Sequence, residues 1–286
     1  MDYLQEAIQK AREQGKSGIG RTPSPGEKMT RVSLPVSGAT TQPNSRDVGK
    51  APVGELPSPS EIKYTRTRQV ELDSGVLALN RVIAGSVSDP QVEAYRQLRS
   101  HVLTAMDRNG WNTLAITSPQ EAVGKTTTSV NLAISISREM NHTVLLVDLD
   151  LRKPRVAATL GLEIDKGIVD HLTVGEPIEN ILLNPATFPR FVVLPGMPQG
   201  KHVSELLSSP EMKAFMMEAT KRYPDRIIMF DLPPLLRNDD AMVFVPNVDA
   251  CLLVVEDGAT TPGDLERSLD LLKDAELLGT VLNKAR

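Results

Sequence analysis

From residue 90 onward, short apolar stretches alternate with patterns that are typical of helices. Strands are predicted over residues 113–117, 143–148, 190–194, 226–231, 250–255 and 280–283. Helices are predicted over residues 90–106, 125–138 and 265–272. The strands are apolar at nearly every position instead of alternating, which is typical of a parallel sheet whose two faces are both covered by helices. The predicted fold class is therefore α/β.

The first 61 residues differ in composition and show only one short helical stripe. Leu4, Ile8 and Ala11 share one face of a predicted helix over residues 1–15. This helix is too short to be stable alone, so it either frays or docks on a partner, and we expect docking. Residues 16–61 are rich in Ser, Thr, Gly and Pro, and we interpret them as a disordered linker. The folded domain is expected over residues 62–286.

Composition and charge argue against several classes of protein. No stretch of about 18 apolar residues occurs, so a membrane-spanning helix is not expected. Residues 69–286 carry 21 Lys/Arg and 29 Asp/Glu, a net charge of −8, which argues against nucleic acid as the main partner. Cys251 is the single cysteine and can form no internal disulfide, so a reducing, cytoplasmic compartment is expected.

Residues 118–128 carry the first candidate chemistry, between a predicted strand and a predicted helix. The segment contains Gly124, Lys125, Thr126 and Thr127. Free backbone N–H groups at a helix start bind anions. In phosphate-binding loops of this kind the lysine reaches the outer phosphates and the hydroxyl holds a magnesium ion. Pro119 occupies the place of the usual leading glycine, so a chance match is the alternative for this segment taken alone.

Three aspartates lie at or just after the ends of predicted apolar strands. Asp148 and Asp150 are two residues apart at the end of one strand, and Asp231 ends another. The carboxyl edge of an open α/β sheet is where ligands bind, and buried carboxylates are unfavourable unless a cation binds them. A nucleotide-bound magnesium ion is the natural candidate. The alternative is that Asp148 and Asp150 cap helices.

Together these motifs resemble the bacterial tyrosine kinases of capsule and exopolysaccharide synthesis. Those kinases are similar to the deviant-Walker P-loop ATPases of cell division and plasmid partitioning. The resemblance covers about residues 62–286, with a Walker A motif at 124–126, a Walker A′ motif at 147–152 and a Walker B motif at 230–234. It implies ATP and Mg²⁺ as cofactors.

The resemblance also implies a role for individual residues. The nucleotide would be bound by Gly124, Lys125, Thr126, Thr127 and Asn283. The catalytic residues would be Lys125, Asp148 and Asp150, of which Asp148 would activate the attacking hydroxyl. The metal ion would be held by Thr126, Asp150 and Asp231.

A fourth match lies in the predicted helix 90–106. Glu93, Arg96 and Arg99 fit the Glu-x-x-Arg-x-x-Arg pattern with which these kinases assemble into rings. The alternative is an ordinary solvated face with local ion pairs. The resemblance implies a homo-oligomer through these residues. It also implies, as partner, a membrane polysaccharide co-polymerase that regulates chain length and holds this chain peripherally at the inner membrane.

Two departures from the family pattern shape the functional prediction. Gln120 stands where partitioning ATPases carry a signature lysine, which argues against that related family. The kinases end in a tyrosine-rich tail, whereas the four tyrosines here form no cluster: Tyr3, Tyr64, Tyr95 and Tyr223. We predict a tyrosine kinase-like ATPase that regulates the chain length and export of an exopolysaccharide or capsule. A positioning ATPase without kinase activity and a nucleotide-sensing scaffold are the alternatives.

Overall fold

The computed structural model describes residues 67–86, 89–222 and 226–285, all within the unit Ile62–Arg286. Its strands form one sheet in the order β1-β4-β5-β3-β6-β2-β7-β8. They are Arg68–Val70 (β1), Thr113–Thr117 (β2), Thr143–Asp148 (β3), Leu183–Pro185 (β4), Phe191–Leu194 (β5), Arg226–Asp231 (β6), Ala250–Glu256 (β7) and Leu277–Asn283 (β8). The helix predicted over 1–15 and the linker predicted over 16–61 lie outside the described residues.

Helices flank this sheet. They are Ser74–Leu79 (α1), Val92–Asn109 (α2), Lys125–Ser137 (α3), Val156–Leu160 (α4), Ile168–Val174 (α5), Val203–Leu207 (α6), Pro210–Arg222 (α7), Asp240–Phe244 (α8) and Pro262–Leu271 (α9). In the part of the chain that the structure describes, single 3₁₀ turns occur at Ile178–Asn180 and Val245–Asn247. Within the described ranges, no helix combines the length and the apolar character that crossing a bilayer requires.

The three central strands occupy the residues that the sequence predicts. All five residues of β2 are buried, and in β3 and β6 all but the first are buried. Their apolar side chains point to both faces, so each strand is stable only between two layers of helices. β3 and β6 pair in parallel with Asp148 opposite Asp231. Their carboxyl ends therefore bring these two aspartates together at one edge of the sheet.

The sheet is parallel except at one side. β4 runs antiparallel to β5, with Leu183 opposite Val193, and β1 pairs in parallel with β4. Both of these strands are only three residues long, and β4 ends in Pro185, which cannot donate a hydrogen bond to a ladder. Neither strand is predicted from the sequence, because neither forms an apolar run.

Several predicted boundaries shift by a few residues. The helix predicted from residue 90 begins at Val92, because Asp89 first forms a turn in which its carboxylate accepts from the N–H of Gln91 at 2.8 Å. The helix predicted from residue 265 begins earlier, where the Thr261 hydroxyl accepts from Asp264 N and Pro262 takes the first helical position.

Asn131 fixes α3 to the preceding part of the chain. Its Oδ1 accepts hydrogen bonds from the N–H groups of Ile83 and Ala84, at 2.7 and 2.9 Å, and its Nδ2 donates to the carbonyl of Arg81 at 2.9 Å. Asn131 is fully buried. A buried amide with its partners satisfied favours one packing arrangement, so the helix that opens at the loop 118–124 is held rigidly.

Candidate nucleotide site

The loop between β2 and α3 turns on Gly124. This residue has φ of 90°, in the left-handed region where glycine is favoured. A Cβ there would lie 2.0 Å from Asn283 Nδ2. Asn283 donates from Nδ2 to the carbonyl of Val123 at 2.8 Å, which ties the end of β8 to the loop. The first N–H groups of α3 have no acceptor within the helix and can bind an anion.

Asp231, at the end of β6, contacts the first turns of α3. Its Oδ2 accepts a hydrogen bond from the Thr126 hydroxyl at 2.7 Å, and its Oδ1 accepts one from the Ser129 hydroxyl at 2.8 Å. Lys125 Nζ lies 3.0 Å from Asp231 Oδ1 and 3.5 Å from Asp150 Oδ2. The fold thus brings together four residues that the sequence analysis assigned to phosphate and metal.

Ser129 belongs to this cluster, although it is not among the residues predicted from the sequence. It lies four residues after Lys125, so the two side chains share one face of α3. Its hydroxyl is buried and hydrogen-bonds both to Asp231 and to the Lys125 carbonyl, the latter at 3.1 Å. A polar residue at that helical spacing from the loop lysine was the available signal.

Lys125 is a buried cation, with 7% of its side chain exposed. Its Nζ lies at ion-pair distance from two carboxylates but has no hydrogen-bond partner in good geometry within the described ranges. Burial lowers the pKa of Lys125, but the charges of Asp231 and Asp150 outweigh this effect, so the pKa lies above its ordinary value. The ammonium group is therefore charged and retains N–H donors for a phosphate.

Asp148 ends β3, beside Asp231, but has different contacts. Its Oδ2 accepts hydrogen bonds from the N–H groups of Arg155 and Val156, each at 2.9 Å, and its Oδ1 accepts one from the N–H of Asp150 at 3.2 Å. The carboxylate thus caps the start of α4 and closes the loop 149–155. These contacts agree with the helix-capping alternative for Asp148, whereas its assignment as the group that activates a hydroxyl stays a prediction.

The carboxylates at this edge repel one another. Burial, and next the charge of Asp231, raise the pKa of Asp148 to about 8. Burial also raises the pKa of Asp150, against the opposing charge of Lys125. Negative charge is thus held in a buried place with one lysine as compensation, and such an arrangement favours the binding of a further cation.

A cavity of about 360 Å³ opens beside the loop. The predicted residues that line it are Gly124, Lys125, Thr126, Thr127 and Asp150. The remaining predicted site residues, Asp148, Asp231 and Asn283, are not in its lining. Asp231 is linked to the cavity indirectly, because its carboxylate contacts two of the lining residues, Lys125 and Thr126. The loop after β3 adds two cations to the lining that were not predicted, Lys153 and Arg155.

The residues present fit a magnesium–nucleotide complex. A buried ammonium group that faces two aspartates, a glycine with no room for a side chain and the start of α3 converge on the cavity. No group of three or more His, Cys, Asp or Glu side chains in the described ranges could hold a metal ion alone. Mg²⁺ typically binds through one or two carboxylates together with the phosphates of a substrate, and Thr126, Asp150 and Asp231 would hold it there.

The predicted ring residues lie along α2 but differ in their surroundings. Glu93 and Arg96 are exposed and pair with each other at 3.3 Å. Arg99 is 17% exposed, and it donates to the Ser135 carbonyl at 3.1 Å and pairs with Glu139 at 2.8 Å. Arg99 therefore fastens α2 to the end of α3, while Glu93 and Arg96 face solvent.

Comparisons with known proteins agree with this geometry. Residues 114–286 match the family described as the CobQ/CobB/MinD/ParA nucleotide binding domain. Tyrosine-protein kinase YwqD of Bacillus subtilis is 31% identical over 193 residues, which cover 67% of this chain and 80% of YwqD. The chain belongs to the bacterial tyrosine kinase family. The kinase domain of the Escherichia coli tyrosine kinase ETK superposes with a TM-score of 0.65 at 26% identity, over 72% of this chain and 82% of that domain.

Some relatives in this family are much longer than the matched region. The putative tyrosine-protein kinase EpsB of Ralstonia nicotianae is 30% identical over 197 residues, which are 68% of this chain but 26% of EpsB. The predicted fold class and family are confirmed, and the chain is a P-loop enzyme of the kinase or ATPase type. The roles of its individual residues stay predictions.

Proposed function

We propose that this chain is an ATP- and magnesium-dependent protein-tyrosine kinase that acts in exopolysaccharide or capsule synthesis. The observation that carries the proposal is the cluster of Lys125, Thr126, Asp150 and Asp231 beside the loop that opens α3, in which Lys125 and Asp231 are buried. Its relative YwqD is named a tyrosine-protein kinase. Regulation of polysaccharide chain length and export is part of the same proposal.

In this proposal the loop and the cluster divide the work. Lys125 turns from the aspartates to the outer phosphates, and the N–H groups that follow Gly124 hold the phosphate oxygens. Thr126 and Asp231 would hold Mg²⁺, and Asp150 would bind it directly or through water. When bound there, magnesium would supply neutralisation of the charge on the transferred phosphoryl group. Lys125 and the magnesium ion would compensate the charges of the outer phosphates inside a buried site. Their stabilisation of these charges would therefore exceed that of the same groups in water.

Asp148 is the proposed acceptor of the proton from the tyrosine hydroxyl. Burial and Asp231 raise its pKa to about 8, and a general base is most effective when its pKa is near the working pH. The carboxylate now accepts three backbone N–H groups. Contact with a hydroxyl therefore needs a shift of the loop 149–155.

The test is phosphotyrosine formation. The chain is incubated with ATP, Mg²⁺ and a copolymer of glutamate and tyrosine, and phosphotyrosine is mapped by mass spectrometry on the chain and on the copolymer. The proposal expects phosphotyrosine with the wild type and none with Lys125→Met. ATP hydrolysis without phosphotyrosine would support a positioning ATPase, in line with the MinD/ParA members of the matched family. Nucleotide binding without hydrolysis would support a sensing scaffold.

We also propose that the chain self-associates through α2 and that its partner is a membrane polysaccharide co-polymerase that holds it at the cytoplasmic side of the inner membrane. Arg96→Ala is expected to weaken self-association in sedimentation experiments without changing nucleotide affinity, because Arg96 is exposed. Arg108→Ala, near the other end of α2, is the control. Unchanged sedimentation of Arg96→Ala would rule out this role for the Glu93–Arg96 face.

A further inference from the structure

The order of the strands in the sheet distinguishes the two sides of the cavity. β2 leads into the loop and lies between β6 and β7. On the β6 side, Asp231 and Asp148 end successive strands, whereas on the β7 side β8 ends with Asn283 bonded to the loop. Thr126 and Asp231 are the proposed metal residues, and a magnesium ion held there would neutralise charge on the outer phosphates. The outer end of a bound triphosphate is therefore directed toward β6 and β3.

Three cations of the described ranges line the cavity, and two of them are already paired. Lys125 lies at ion-pair distance from two aspartates. Lys153 Nζ donates to both carboxylate oxygens of Glu121, each at 2.9 Å. The guanidinium of Arg155 makes no hydrogen bond and no ion pair within the described ranges, although its charge is the smallest of the effects on the pKa of Glu121. Besides Lys125, which retains N–H donors for a phosphate, Arg155 is thus the lining cation of the described ranges whose donors are available.

The backbone of Arg155 is held firmly on the β3 side. Its N–H donates to Asp148 Oδ2 at 2.9 Å, and its carbonyl accepts from the N–H of Thr159 at 2.8 Å as α4 begins. The side chain therefore starts from a fixed point close to the end of β3, and Arg155 lines the cavity on the side toward which the triphosphate is directed. A guanidinium offers several N–H donors in a planar fork that matches phosphate oxygens.

We infer that Arg155 binds the terminal phosphate of ATP and makes the site distinguish ATP from ADP. The inference rests on the proposed function, because it requires that the loop binds a nucleotide. Lys153 is not assigned this role, because its ammonium group already donates to both carboxylate oxygens of Glu121. The charge needed for the terminal phosphate comes from the same chain, so it does not depend on self-association.

The test compares two affinities in the same protein. Dissociation constants are measured by calorimetry, in the presence of Mg²⁺, for ADP and for the non-hydrolysable β,γ-imido analogue of ATP. Wild type is expected to bind the analogue more tightly than ADP. Arg155→Ala should weaken the binding of the analogue by about tenfold to a hundredfold, which is the effect of losing hydrogen bonds to a charged group. Its ADP affinity should change by less than about twofold, because ADP has no terminal phosphate to lose.

Two further variants control the interpretation. Arg155→Lys keeps the charge without the fork and should lie between wild type and Arg155→Ala. Arg108→Ala removes an exposed arginine far along α2 and should leave both affinities unchanged. An unchanged ADP affinity also shows that each variant is folded.

The inference is overturned if Arg155→Ala weakens both nucleotides equally or neither of them. It is also overturned if the variant changes only the apparent affinity for a tyrosine-containing acceptor, because Arg155 would then bind the acceptor. In these outcomes the wild type still binds nucleotide, so the proposed function stands. If the wild type binds neither ADP nor the analogue, the proposed function fails and the inference fails with it.

Discussion

Asp148 and Asp231 stand opposite each other at the ends of adjacent strands, and both are buried, at 1% and 0% exposure. The carboxylate of Asp231 is held by side chains, namely two hydroxyls and a lysine. The carboxylate of Asp148 is held by three backbone N–H groups. Side chains can rotate away when a metal ion and a phosphate arrive, whereas backbone donors leave only if the loop moves. Equal burial and equal position therefore lead to one carboxylate whose partners can exchange and one whose contact with a substrate hydroxyl requires a shift of the loop 149–155.

The largest expected effect comes from removing Lys125, the cation that pairs with Asp231. Lys125→Met takes away the charge that pairs with Asp231 and is proposed to reach the outer phosphates. We expect turnover of ATP to fall by about a hundredfold to a thousandfold, by analogy with the loss of one donor from a preorganised site. Circular dichroism checks that the variant is folded. Undiminished turnover in a folded variant would contradict the assignment of Lys125.

The buried carboxyl group of Asp148 should make the stability of the protein depend on pH. Burial and the charge of Asp231 raise the pKa of Asp148 from 3.8 to about 8. The folded protein then binds this proton more tightly than the unfolded chain does. The contribution of Asp148 to stability is therefore fully present below about pH 4 and is lost as the pH rises toward about 8. The midpoint temperature of metal-free wild type should decrease over this range.

The comparison for this pH dependence is Asp148→Asn, which cannot titrate. Its melting temperature, measured in a chelator, should change less between about pH 5 and pH 8 than that of the wild type. Parallel curves for the two proteins would show that Asp148 does not keep its proton in the folded state.

How much the sequence could predict depends on the residue. β2, β3 and β6 were predicted to the residue because their positions are apolar on both faces, whereas β1 and β4 gave no signal because they are three residues long. Asp148 and Asp231 were found because each ends an apolar strand. Their different partners could not be predicted, because the backbone donors of Asp148 come from a loop whose path depends on tertiary packing.

A smaller effect is expected from removing the Ser129 hydroxyl, which donates to Asp231. Ser129→Ala removes a donor to the buried carboxylate of Asp231, and we expect unfolding free energy to fall by about 1.5 kcal/mol, measured by urea denaturation. Ser137→Ala is the matched control on the same helix, because its buried hydroxyl donates to the neutral carbonyl of Ile134 at 2.8 Å. That loss should be smaller, about 0.5–1 kcal/mol. Equal losses would mean that the charge of Asp231 is not decisive.

The magnesium dependence of ADP affinity tests the difference between the two aspartates most directly. Calorimetric titrations with and without Mg²⁺ compare wild type, Asp231→Asn and Asp148→Asn, and the affinity without Mg²⁺ shows that each protein is folded. Magnesium should strengthen ADP binding in wild type and, by a similar factor, in Asp148→Asn. In Asp231→Asn that gain should shrink by about tenfold or more, the usual scale for losing a group that supports a metal site. Equal losses in both variants, or no loss in either, would contradict the account.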